Sequence, residues 1–193
     1  PKTAYAILSG LVGSEMCIRD RPDSIEAKAE GGEFYYCSGP KILFSGACRN
    51  NVKGAEWVAK EFDVNELVIM KSDVFHLDTL FTPVINKKNE LAAMIACTEL
   101  MEKESVDDLK SFANKISVEL VEVDPEDSIG TREQLGEFAV NCCPLPGYLI
   151  GPTRFRSLKL NQLLKDLEVM HITIPTTQFR LSGGSVHCLT NEL

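Results

Sequence analysis

From Phe34 onward the chain repeats one pattern. Two short apolar strand candidates are followed by a helix candidate and a further strand, with Gly, Pro or Asn signals at the boundaries. The first unit pairs 34–37 with 42–44 around Ser38-Gly39-Pro40-Lys41, then places a helix over 52–62 and a strand over 67–70. The second reads as strands 79–85 and 92–97, helix 106–116 and strand 118–121, and the third as strands 139–143 and 148–150, helix 158–167 and strand 169–174. The helix starts recur at intervals of roughly 50 residues, the mark of an internal ββαβ repeat, although an α/β chain with units of matching length reads the same way. Val52, Ala55, Val58, Ala59 and Phe62 fall at helical spacing, as do Leu158, Leu160, Leu163, Leu164 and Leu167, so these are core positions.

Composition narrows the setting. With 193 residues, 44% of them hydrophobic, the chain is long enough to bury one sizeable core, and a single domain is the default. A net charge of -8 disfavours a surface that tracks phosphates, so no nucleic acid is expected as partner, whereas a small cation is compatible. Seven cysteines at irregular positions do not form a disulfide framework of the secreted kind, which points to a reducing, cytoplasmic location. No apolar run approaches the length of a membrane span, so no membrane partner is expected. The stretch Ser9 to Arg21 has no period of 2 or 3.6 and resembles translated adapter read-through. Residues 1–21 are therefore set apart as a non-native extension, with 22–193 as the folded part; a genuine irregular N-terminal extension is the other reading. In both cases the native start is expected to be missing.

Three segments carry chemistry. In Ser182-Gly183-Gly184-Ser185-Val186-His187-Cys188-Leu189-Thr190, two glycines remove side chains just before a cysteine, letting backbone and substrate approach it. In Phe75-His76-Leu77-Asp78-Thr79 an imidazole and a carboxylate stand two apart before a strand, where extended chain puts both on one face. Glu30-Gly31-Gly32-Glu33 is an acidic turn ahead of the first strand pair. Each alone has an ordinary reading: a buried thiol, a surface pair, a turn.

The ordered set is specific. Acidic-Gly-Gly-acidic, then His-Leu-Asp-Thr about 45 residues later, then Gly-Gly-Ser-Val-His-Cys-Leu-Thr resembles the guanidine-modifying (pentein) superfamily of arginine deiminases, dimethylargininases and amidinotransferases. The spacing from Phe34-Tyr35-Tyr36-Cys37-Ser38-Gly39 through Arg49-Asn50-Asn51-Val52 is similar as well. The resemblance implies an α/β fold: a partial propeller of ββαβ modules in which about three of five are present, a truncation at the N-terminal side.

The resemblance also implies roles. Cys188 is expected as the nucleophile that forms a covalent thiouronium intermediate on a guanidinium carbon, with His76 as proton donor and later base. Asp78 and Glu30 are expected to accept the planar N–H pairs of the guanidinium, and Arg49 to grip an α-carboxylate, unless it is a solvated loop arginine. Glu33 could bind substrate or face solvent. His187 adjoins the nucleophile, but neighbouring residues in a strand point to opposite faces, so it is expected to be structural. His171 has no site argument, and Cys142-Cys143 lack the companions of a metal site, so neither metal nor cofactor is expected.

The expected activity is C–N hydrolysis of arginine or a methylated arginine to a citrulline-type product, with a small guanidine as partner and self-association compatible. Dimethylargininases tend to carry Lys where this chain has Asp78, which favours unsubstituted arginine. Amidino transfer and an inactive or purely binding fragment are the alternatives. Three modules cannot close a five-module ring, so the chain as written is expected to be inactive or nearly so.

Overall fold

The computed structural model describes residues 26–190; the segment 1–21 lies outside them. Three small sheets follow one another along the chain. The first contains β1 (Phe34–Cys37), β2 (Ile42–Gly46) and β3 (Glu66–Met70); the second β4 (Phe81–Ile85), β5 (Leu91–Ala96) and β6 (Glu119–Glu122); the third β7 (Cys143–Leu145), β8 (Tyr148–Gly151) and β9 (Met170–Thr173). In each, the first two strands are antiparallel and the last is parallel to the second. The parallel step requires a crossover, supplied by α1 (Val52–Glu61), α2 (Lys103–Ile116) and α3 (Leu158–Asp166). The ββαβ repeat is therefore real and occurs three times among the described residues.

Local chemistry sets the helix limits. Asn51 caps α1, its Oδ1 accepting from Gly54 N at 2.9 Å, and Ser157 caps α3, accepting from Leu160 N at 3.2 Å. Ser117 ends α2 in the left-handed region at φ 56°. In the second module β4 is entirely buried, and Pro83 sits in it without disrupting the ladder because β4 is the outer strand of its sheet.

The same strand is central to the molecule, contacting both β1 and β7, so the first strand of every module faces the middle. Tyr35, Phe44, Phe81, Leu109, Leu149 and Leu160 are each at most 1% exposed and link the three modules into one core.

One local expectation fails, and one short helix was not foreseen. Residues 139–142 are buried but not extended, and β7 begins only at Cys143. That stretch is apolar because it is covered, not because it pairs. A short helix α4 (Thr177–Leu181), absent from the sequence reading, precedes a 3₁₀ turn His187–Leu189 that carries the candidate nucleophile.

Candidate active site

The modular topology brings together three segments that are far apart in sequence: the turn before β1, the turn before β4 and the stretch before β7. Each runs into the first strand of its module. Strands β1, β4 and β7 lie side by side, so their leading segments share one end of the molecule. The C-terminal 3₁₀ turn then lays Cys188 onto this end.

Asp78 lies in the 3₁₀ turn Leu77–Thr79 and is 0% exposed. Its Oδ2 meets His187 Nδ1 at 3.0 Å and accepts from the Cys188 thiol at 3.3 Å. Its Oδ1 is buried with no hydrogen-bond partner. A carboxylate oxygen in that condition is costly unless a donor arrives.

Cys188 is exposed as a residue, yet its sulfur touches two wholly buried side chains, Asp78 and Asn141. Burial and then the Asp78 charge push the thiol above its ordinary value, while hydrogen bonds from the Ser185 backbone and the Asn141 side chain pull it down. The thiol is thus held protonated, and a cation beside Asp78 would offset the dominant charge effect.

His187 does not point away. It lies in a 3₁₀ turn and not a strand, so the alternation argument fails. The residue is 8% exposed, its ring tilted against Tyr35 at 4.2 Å between centroids and bonded to Asp78. Tyr35 is fixed in turn by donating to Cys142 O at 3.1 Å.

His76 and Asp78 do not share partners, because His76 is extended whereas Asp78 already lies in the tight turn. The His76 Nε2 contacts Glu30 Oε2 at 3.0 Å, and the same oxygen is 3.6 Å from Arg49 Nε. Arg49 spreads its guanidinium over Phe75, 4.5 Å from the ring centroid. Glu30 and Arg49, both expected at the substrate, are therefore engaged with His76 and with each other.

The supporting chain is built around Glu33, which is 1% exposed and does not face solvent. Its carboxylate accepts from Arg49 N at 2.6 Å and Leu77 N at 2.9 Å, tying the loop after β2 to the turn before β4. Glu30 is located by Asn50, whose Oδ1 accepts from Glu30 N at 2.6 Å.

Glycine makes room here, at positions other than the pair before the cysteine. A Cβ at Gly32 would fall 2.5 Å from His76 Nδ1, and one at Gly46 would land on Glu33 Oε2. Gly184 faces only ordinary contacts with Cys188, while Gly183 is required for its φ of +86°.

Cys142 is buried, donates to Ala139 O at 3.0 Å and is pushed well up by burial, which makes it inert. His171 is buried against Phe155, and its ring nitrogens make no hydrogen bond to the groups around Cys188.

Asn141 was missed by sequence reasoning. It looked like one polar residue in an apolar strand. The usable signal was its position: it precedes β7 as Asp78 precedes β4 and Glu33 precedes β1.

No protein-family model and no curated protein matches the sequence. Solved structures do. The N-terminal domain of ArgZ with bound substrate, described as an arginine dihydrolase of the ornithine-ammonia cycle in Cyanobacteria, superposes with a TM-score of 0.66 at 19% identity over 83% of this chain and 54% of that one. AgrE in complex with L-arginine gives 0.66 at 20% over 86% of this chain and 23% of that one. SxtG, an amidinotransferase from Microseira wollei in the saxitoxin pathway, gives 0.60 at 20% over 85% and 47%. The chain has the fold of the guanidine-modifying enzymes. It spans about half the length of the ArgZ domain and about a quarter of AgrE. Within this pentein fold, the three ββαβ modules, the buried carboxylate of Asp78 and the C-terminal thiol form one connected arrangement.

Proposed function

We propose that this chain carries the C–N bond-cleaving chemistry of a guanidine hydrolase acting on arginine or a close derivative, with Cys188 as nucleophile. The observation that carries the reading is the Asp78 carboxylate: one oxygen accepts from the candidate nucleophile, and the other is buried without a donor. A guanidinium offers planar N–H pairs and a positive charge, so it satisfies that oxygen and places its carbon beside the sulfur.

Binding the cation offsets the Asp78 charge that, with burial, holds the thiol protonated, and the thiol proton passes to His76. The thiolate then attacks the guanidinium carbon to give a tetrahedral adduct. Collapse breaks one C–N bond as His76 delivers a proton to the leaving nitrogen, leaving a thiouronium on Cys188. Water, deprotonated by His76, attacks that carbon, and the C–S bond breaks to return the thiol and release a ureido product. Glu30 orients the imidazole through its Nε2 contact and remains the second acidic group facing the substrate; Arg49 is the group for an α-carboxylate. The likeness in fold to arginine-binding and amidino-transferring proteins supports this class of substrate.

A second reading is favoured by one observation: the chain spans 54% of the ArgZ domain, so the described residues could bind a guanidine and supply only part of the catalytic wall. The two part in a single experiment. Ammonia and alkylamine release is measured with arginine, dimethylarginine and agmatine, with and without an amine acceptor, beside protection of Cys188 from alkylation by each guanidine. Turnover supports hydrolysis, formation of a new guanidine on the acceptor supports transfer, and protection without turnover supports the binding reading. Neither turnover nor protection would remove guanidine chemistry from this site.

A further inference from the structure

The side chain of Asn141 is 0% exposed and has all four of its hydrogen-bonding positions occupied. Its Nδ2 donates to the Asp78 carbonyl at 2.9 Å and to Cys188 Sγ at 3.2 Å. Its Oδ1 accepts from His187 N at 2.9 Å and from Cys188 N at 3.4 Å. Every contact is to one of the residues that make up the reacting centre. A buried amide this well satisfied has a single orientation, since a flip would set N–H against N–H on one side and acceptor against acceptor on the other.

We infer that Asn141 is the positioning residue of the nucleophile: its carboxamide locks the Cys188 turn onto the Asp78 turn and keeps an N–H aimed at the sulfur in both thiol and thiolate states. This rests on the reading of Cys188 as the nucleophile. The two backbone bonds fix where the 3₁₀ turn His187–Leu189 sits. The bond to the Asp78 carbonyl fixes the distance between carboxylate and sulfur, and the bond to Sγ stabilises negative charge there.

The groups facing the sulfur divide by sign. Asp78 lies in direct contact, with His187 and Tyr35 behind it, and Asp78 opposes ionisation. Asn141 is the side chain in contact with the sulfur that favours it. Its place in the chain explains why a nucleophile near the C-terminus can be held accurately: Asn141 belongs to the buried segment leading into β7, which is anchored in the core through Ala139, Val140 and Cys142.

The test follows alkylation of Cys188 by iodoacetamide on the full 193-residue chain, read peptide by peptide by mass, from about pH 6 to pH 10. Asn141→Ala should slow labelling of Cys188 roughly tenfold at neutral pH and move its profile to higher pH, the effect of losing one hydrogen bond to a charged acceptor. Asn141→Asp keeps an oxygen toward the backbone donors but brings a second carboxylate to the sulfur, and should move the profile further. Exposed Cys48 is the internal control and should label alike in all three proteins. A folded variant with the wild-type Cys188 profile would make Asn141 a structural plug and overturn the inference. Should both variants melt below the assay temperature, Asn141→Ser is judged by the same criterion. Iodoacetamide is not a guanidine, so a shifted profile alongside failure to turn over or bind any guanidine would sink the proposed function alone.

Discussion

Asp78 concentrates the electrostatics of the site on one buried carboxylate, with two partners on one oxygen and no hydrogen-bond partner on the other. Replacing it by asparagine should have opposite effects on two reagents. Neutral iodoacetamide should label Cys188 at lower pH, because the charge that raises the thiol is gone. Guanidine binding should weaken by roughly 10- to 100-fold, the cost of losing charge-assisted hydrogen bonds. Both are read from one set of protection curves, and unchanged guanidine affinity would place Asp78 outside the site. His76→Ala should leave binding within a few-fold and abolish turnover, since its proposed part is proton transfer; kcat and KM measured separately check this. Cys188, His76 and Asp78 could be singled out as candidates in the sequence because their order and spacing are distinctive. The partnership of His187 was not, since it depends on a 3₁₀ turn that a local apolar–polar alternation cannot foretell.

The elements that build the site are the segments leading into β1, β4 and β7; the buried Glu33 joins the first two, and Asn141 joins the last two. The two backbone acceptor contacts of Glu33 predict a specific non-additivity. Glu33→Ala leaves the N–H groups of Arg49 and Leu77 without their acceptor, at a cost of about 2–4 kcal/mol. Gly46→Ala puts a Cβ where Glu33 Oε2 lies and should break the same contacts. The double variant, measured by urea unfolding, should be little worse than the more damaging single one; additive losses would mean that the two positions act independently. Most strands and the three main helices could be read from hydrophobic period and turn residues. Residues 139–142 misled that reading because burial on all sides and pairing in a sheet both select apolar residues. Asn141 was hidden in that stretch for the same reason.

At the scale of the whole molecule, one core joins three modules, and His171 makes it sensitive to acid. Burial, with Arg154 nearby, lowers this imidazole to about 4, and both ring nitrogens are buried without partners. The unfolded chain binds the proton first. Stability from His171 is therefore complete above about 6.5 and lost as pH falls toward 4, by a few kcal/mol at most. His171→Leu should flatten the fall in urea midpoint between those pH values, whereas a slope equal to wild type would assign the acid sensitivity elsewhere. The ββαβ repeat made the modules legible without any relative. What the sequence did not show is how β4 sits between β1 and β7, since contacts between modules come from packing and leave no local period. That packing brings Asp78 to Cys188 across 110 residues, and it is what the functional reading depends on. The most direct measurement is rapid-quench mass spectrometry of the chain mixed with arginine. A transient adduct on Cys188 with the mass of arginine less ammonia is expected, lost in Asp78→Asn. An adduct on another cysteine, or one formed equally well without the Asp78 carboxylate, would contradict the functional reading.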